Sequence, residues 1–288
     1  MIDNTLQTGG KPQYTGSVIP LPEPPAGVNV IRDVEFGSHE RQRYDVYLPQ
    51  ALSAPMPVVV FFHPGGWMRR DKRAVRTMFV LEHGYALVSI GYRLAQDACF
   101  PAQVQDVNAG MKHLIENAST YGVDTSRIVL AGTSAGAHLA ALAALARDQA
   151  DFNTVPNLEL KGVVAIYGAY DFPQFLTAVQ NSETDQSSAE SPLGLLIGGD
   201  PLRHPDKLVT ISPVTYARRD APPFLIMHGE QDKVLPWAQS ASLAGELVKQ
   251  GASVDFEIIP NAGHGDEVFR QPPISDRIVR FIDRVMAL

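Results

Sequence analysis

An apolar run, Ile128-Val129-Leu130-Ala131, stops at Gly132, and an alanine-rich helical pattern starts at Ala135. Between them stands one hydroxyl, Ser134, with a glycine two positions to either side. A buried strand that passes into a buried helix through so short a turn brings backbone against backbone, which glycine alone permits. The turn lifts the Ser134 oxygen out of the chain, beside the positive amino end of the helix. Gly132-Thr133-Ser134-Ala135-Gly136 therefore reads either as a nucleophile turn or as a glycine-flanked turn whose serine caps the helix.

The rest of the chain repeats the strand-then-helix theme. Val30–Phe36 and Arg43–Pro49 alternate in polarity and read as an antiparallel pair. Apolar strands are expected at 57–63, 85–92, 127–132, 162–168, 223–229 and 254–260. Helices are expected at 102–118, 135–147, 237–250 and 274–287. This alternation predicts an α/β fold with a mostly parallel central sheet and helices on both faces. Residues 172–210 interrupt the rhythm with NSETDQSSAES and GGDP and predict a small cap insertion. Residues 1–27, rich in Gly and Pro, are expected to form an extended arm, leaving 28–288 as one domain.

Composition narrows the function classes. The net charge is −7, and the basic residues are read as dispersed, so neither nucleic acid nor an anionic membrane is an expected partner. No apolar stretch is long enough to span a bilayer. Cys99 is the only cysteine and the amino-terminal residues show no leader pattern, so the cytoplasm is the expected location. No H-E-x-x-H spacing and no early G-x-G-x-x-G appear, so neither a metal nor a cofactor is expected.

Three further stretches complete a chemistry around Ser134. His63-Pro64-Gly65-Gly66-Trp67 follows a central strand, and Gly65 and Gly66 can turn N–H groups inward, joined by that of Ala135, to hold an oxyanion. Pro64 has no N–H, and His63 reads as a loop anchor. Asp232, in MHGEQDKVLP, and His264, in NAGHG, both follow strands. A serine hydroxyl needs a base within reach and a carboxylate to orient that base, and Ser134, Asp232 and His264 stand in the expected chain order. Rivals stay open: Asp171 as the acid and His138, one helical turn past Ser134, as the base. Trp67 and Trp237 line a substrate pocket or simply pack. Phe172, Phe175, Leu176, Leu195 and Leu196 form either an acyl wall or a local core.

Together HPGGW, GYRLAQDACFPAQVQDV, YGVDTSRIVLAGTSAGAHLAAL, LIGGDP, ISPVTY, MHGEQDKVLP and NAGHG resemble the α/β-hydrolase superfamily. Within it they resemble the hormone-sensitive-lipase-like esterases and the bifunctional feruloyl/acetyl-xylan esterases. The resemblance covers residues 45–285 and implies Ser134 as nucleophile, His264 as base, Asp232 as orienting acid, and Gly65, Gly66 and Ala135 as the oxyanion hole. Pro64 departs from the usual glycine. The implied activity is hydrolysis of a small-acyl, sugar or lactone ester without a cofactor. Amide or formamide hydrolysis on the same triad is the enzymatic alternative, and a non-catalytic small-molecule binder the alternative of another class.

Overall fold

The computed structural model describes residues 23–50, 55–155 and 157–287. Most of the expected amino-terminal arm, residues 1–22, lies outside them. Eight strands form one sheet in the order β1-β2-β4-β3-β5-β6-β7-β8. They are β1 (Val28–Glu35), β2 (Arg43–Pro49), β3 (Met56–Phe62), β4 (Ala86–Ile90), β5 (Val123–Thr133), β6 (Leu160–Ile166), β7 (Phe224–Gly229) and β8 (Val254–Ile259). The β1–β2 and β2–β4 pairs are antiparallel, and every pair from β4 across to β8 is parallel.

The period-two geometry of a strand sends alternate side chains to opposite faces. Val58, Val60 and Phe62 of β3, with Ile128 and Leu130 of β5, enter one core with α1 (Ala102–Glu116), α3 (Ala135–Leu145) and α7 (Ala238–Gln250). Val59, Phe61, Val129 and Ala131 enter a second core with α8 (Ile274–Met286) and the 3₁₀ turn Met78–His83. Because both faces are covered, the central strands read as unbroken apolar runs. Every residue of α3 is buried, and its alanines let it lie close to the sheet on one side and to α1 on the other. A short helix, α2 (Ala118–Tyr121), leads into β5, which starts at Val123 rather than at the expected 127.

The chain leaves β3 toward β4 on one side and leaves β5 toward β6 on the other. Neighbouring strands whose connections diverge open a crevice at their carboxyl ends. The Gly65-Gly66 loop follows β3 and the Ser134 turn follows β5, so both border that crevice.

Residues 172–210 carry three short helices, α4 (Phe172–Val179), α5 (Pro192–Ile197) and α6 (Pro205–Thr210). Asp171 caps α4 through the Gln174 N–H, and Ser191 caps α5 through the Gly194 N–H, each followed by proline in the first turn. Their apolar sides form a third cluster in which Phe172, Phe175, Leu176 and Leu196 meet Trp67, Ala135 and Leu235. No described helix is long and apolar enough to cross a membrane.

Candidate active site

The turn at Ser134 is tight in the way its glycines require. Ser134 has φ 55° and ψ −122°, a conformation disfavoured for a residue with a Cβ. A methyl group on Gly136 would collide with the carbonyls of Phe62 and His63, and one on Gly132 with the backbone of Gly136 and Ala137. The missing side chains let α3 begin directly against the end of β3. A hydrogen bond of 2.9 Å from the Ser134 N–H to the Ile166 carbonyl ties the turn to β6.

Asp232 and His264 arrive on loops that brace each other. The Glu230 N–H donates to the Ile259 carbonyl at 3.0 Å and the Gln231 N–H to the Ala262 carbonyl at 2.9 Å. Ser134 Oγ lies 3.0 Å from His264 Nε2, and His264 Nδ1 lies 2.6 Å from Asp232 Oδ2. The partners assign the tautomer: Nδ1 carries the proton toward the carboxylate, and the Nε2 lone pair faces the serine hydroxyl. Asp232 Oδ1 accepts from the Val234 and Leu235 N–H groups at 2.8 and 2.9 Å. Its side chain is fully buried, whereas that of His264 keeps 20% of its surface exposed. Burial pushes the Asp232 carboxyl up, but hydrogen bonds from His228, His264 and Leu235 outweigh it and hold the group well below the usual carboxylate range.

His228 is a residue that the sequence reading passed over. Its Nε2 lies 3.2 Å from Asp232 Oδ2 and 2.9 Å from the Leu235 carbonyl, and Nδ1 lies 2.7 Å from Ser240 Oγ. With two acceptors facing Nε2, that nitrogen holds the proton, and the Ser240 hydroxyl donates to Nδ1. The available signal was a polar residue ending the otherwise apolar strand FLIMHG.

The N–H groups of Gly65, Gly66 and Ala135 have no protein acceptor among the described residues. Ala135 is the first residue of α3, where an N–H lacks an intrahelical partner by geometry. Gly65 has φ 133°, and a Cβ there would strike the Arg69 backbone, so the loop shape requires glycine. His63 anchors this loop: its ring stacks on Tyr92 at 4.1 Å, and Nδ1 meets the Pro64 carbonyl at 2.8 Å. Burial pulls its pKa down to about 4. A cavity of about 250 Å³ lined by His63, Arg41, Lys72 and Tyr92 has none of Ser134, Asp232 and His264 in its wall.

The rivals are placed elsewhere. Asp171 accepts from the Gln174 N–H and from Ser242 Oγ, and serves as a helix cap and tether. His138 accepts the Trp67 indole N–H at 3.1 Å and faces the Ile211 carbonyl with Nε2 at 2.8 Å. Its environment is one of rings and carbonyls, and burial pulls its pKa down to about 4. Of the two readings of Trp67, packing is the one observed: only 5% of its surface is exposed and it sits against His138 and Phe172. Trp237 is 45% exposed at the start of α7. Phe172, Phe175, Leu176 and Leu196 are a local core, with Leu195 half-buried beside them. Among the described residues no group of His, Cys, Asp or Glu is arranged to hold a metal ion.

The basic residues are not dispersed: Arg69–Arg76, RRDKRAVR, holds five in eight positions.

The architecture is the α/β-hydrolase fold, with a serine, a histidine and a carboxylate in line at the carboxyl edge of the sheet. The family BD-FAE matches residues 44–247, and the chain belongs to it. Esterase LipC of Mycobacterium tuberculosis is 31% identical over 88% of this chain and 65% of its own length. A truncated carbohydrate esterase from gut microbiota superposes with a TM-score of 0.83 at 26% identity, covering 92% of this chain and 99% of that one. A bifunctional GH43-CE protein of Bacteroides eggerthii does so with a TM-score of 0.80 at 30% identity, covering 89% and 35%. The chain spans half to about two thirds of the length of the curated relatives it matches first.

Proposed function

We propose that the chain is a serine carboxylic-ester hydrolase. The observation that carries this reading is the unbroken line from Ser134 Oγ through His264 to Asp232, at 3.0 and 2.6 Å. Ser134 Oγ attacks the ester carbonyl carbon as its proton passes to His264 Nε2. The carbonyl oxygen becomes an oxyanion, held by the N–H groups of Gly65, Gly66 and Ala135. Collapse breaks the bond to the alcohol oxygen, which takes the proton from His264 and departs. Water then gives a proton to the same nitrogen and attacks the acyl-enzyme; the acid leaves and Ser134 regains its proton. Asp232 stays ionised throughout, orienting His264 and stabilising its charged form.

The substrate class follows as part of the same proposal. Likeness to a carbohydrate esterase along nearly that whole chain supports an ester carried by a sugar. The α4–α6 insertion is the cap over this site, packed on Ala135 through Trp67 and Phe172. The test is a rate panel on p-nitrophenyl acetate, butyrate, octanoate and decanoate, with p-nitroacetanilide as the amide arm. Fast turnover of the short esters, lost in Ser134→Ala, is expected. Turnover of the anilide alone would replace ester hydrolysis with amide hydrolysis, and turnover of none would overturn the reading.

A further inference from the structure

Asp232 serves two histidines through one oxygen. His264 Nδ1 lies 2.6 Å from Asp232 Oδ2, and His228 Nε2 lies 3.2 Å from the same atom. The rings reach it from different elements: His228 from the end of β7, His264 from the loop after β8. Oδ1 is occupied separately, by the Val234 and Leu235 N–H groups. A serine hydrolase needs one histidine on its acid, so the second has no part in the proton transfers themselves.

The surroundings of His228 fix its ring. It is wholly buried, as is Ser240 on α7, whose Oγ lies 2.7 Å from Nδ1. The Nε2–H is shared between Asp232 Oδ2 and the Leu235 carbonyl, at 3.2 and 2.9 Å, so one ring ties both parts of the 230–236 loop to β7. The Leu235 side chain in turn packs in the cluster that holds Trp67 and Phe172. A carboxylate buried as fully as that of Asp232 stays charged only if its lone pairs are satisfied. Among the hydrogen bonds that hold this carboxyl down, the one from His228 comes first.

Sharing has a chemical consequence. A second donor takes up part of the charge on Oδ2 and leaves that oxygen less basic toward the His264 proton. With donors on both oxygens, the carboxylate is also held against rotation.

We propose that His228 is a positioning residue: its Nε2–H holds Asp232 Oδ2 in line with His264 Nδ1 and limits the basicity of that oxygen. The role rests on the ester-hydrolase reading for the reaction it tunes. Alignment acts on kcat. Limited basicity acts on pH, because a donor on the carboxylate favours the unprotonated imidazole that the reaction needs, and the Ser134–His264–Asp232 unit titrates as a whole. The other groups facing this unit are Ser134 Oγ and the Tyr167 ring, edge-on to His264 at 5.0 Å, with Arg76 and Arg270 acting by charge on the Tyr167 hydroxyl. Asp266, on the His264 loop, is turned to the Val268 and Gly263 N–H groups at 3.1 and 3.5 Å.

The test compares His228→Leu, which removes the donor, with His228→Gln, whose amide N–H stands near the position of Nε2 and does not titrate. On p-nitrophenyl acetate, His228→Leu is expected to lose about tenfold or more in kcat, with KM within about twofold of the wild type. The acidic limb of its kcat/KM profile is expected to move to higher pH by about half a unit or more, and His228→Gln to return both toward the wild type. If His228→Leu does not fold, His228→Asn, whose amide reaches Ser240 but not Oδ2, takes its place with the same expectations. A second readout needs no turnover: the downfield proton resonance of the His264 Nδ1–H, assigned by its loss in His264→Ala. It moves further downfield where Oδ2 bonds to His264 alone and returns in His228→Gln. That shift, without ester turnover in the wild type, upholds the shared oxygen while the ester reading falls. With turnover, an acidic limb that stays in place or moves equally in His228→Gln, or a rise in KM in place of the fall in kcat, overturns the proposal. Neither turnover nor a resonance shift overturns both.

Discussion

Two histidines flank Ser134, and the difference between them defines the site. His138 stands four positions away on α3, wholly buried, with Nδ1 taken by the Trp67 indole and Nε2 by the Ile211 carbonyl. Burial drives its pKa down to about 4, so it stays neutral across the physiological range. His264 comes from 130 positions away, yet its Nε2 faces the serine oxygen and its Nδ1 faces a buried carboxylate. Nearness in sequence places His138 beneath the turn as a brace. A carboxylate on one nitrogen, a serine hydroxyl on the other and partial exposure give His264 the arrangement that its proposed role as base requires.

That contrast can be broken by substitution. The largest effect is expected for Ser134→Ala and His264→Ala, each lowering kcat/KM on p-nitrophenyl acetate by about 10³-fold or more. Asp232→Asn is expected to lower kcat by roughly 10²–10⁴-fold, because the amide no longer fixes the imidazole tautomer or stabilises its cation. His138→Leu is expected to change kcat/KM by less than about tenfold. It strands the Trp67 N–H and the Ile211 carbonyl, destabilising the fold by about 1–3 kcal/mol, visible as a lower urea midpoint. A large rate loss in a folded His138→Leu protein would place catalytic chemistry on the wrong histidine.

The smallest effect sharpens the contrast through pH. The folded Asp232 carboxyl ionises below its unfolded value of about 3.9, so the native state holds the proton less tightly than the unfolded one. This contribution to stability is full above pH ~4 and fades as the pH falls toward the depressed folded value. Urea midpoints of wild type and Asp232→Asn should therefore differ more at pH 7 than at pH 3. A gap that widens in acid would contradict the hydrogen-bonded, ionised state of Asp232.

Legibility from the sequence followed physical locality. The Ser134 turn was readable because Gly132 and Gly136 answer a steric demand within five residues. The sheet was readable because both faces are covered, which makes its strands unbroken apolar runs. Chain order pointed to His264 over His138, but helical spacing does not reveal what His138 does instead, because Trp67, 71 positions earlier, brings an N–H to it. His228 was hidden at the end of an apolar strand. The run Arg69–Arg76 was passed over, and its significance lies in pairings made at a distance: Asp33 and Asp45 neutralise Lys72 and Arg73, leaving Arg70 and Arg76 without carboxylates among the described residues. Residues 172–210 were read as a small cap insertion without its helices, although Asp171 and Ser191, each with a nearby proline, carried the start signals of α4 and α5.

The most direct test of the account is covalent labelling by a p-nitrophenyl alkylphosphonate, followed by intact-protein and peptide mass spectrometry. Wild type and His138→Leu should gain one phosphonyl group on Ser134 at comparable rates, and His264→Ala should label at least about 10²-fold more slowly. Labelling at another residue, or labelling of Ser134 that depends on His138 and not on His264, would contradict the line from Ser134 through His264 to Asp232.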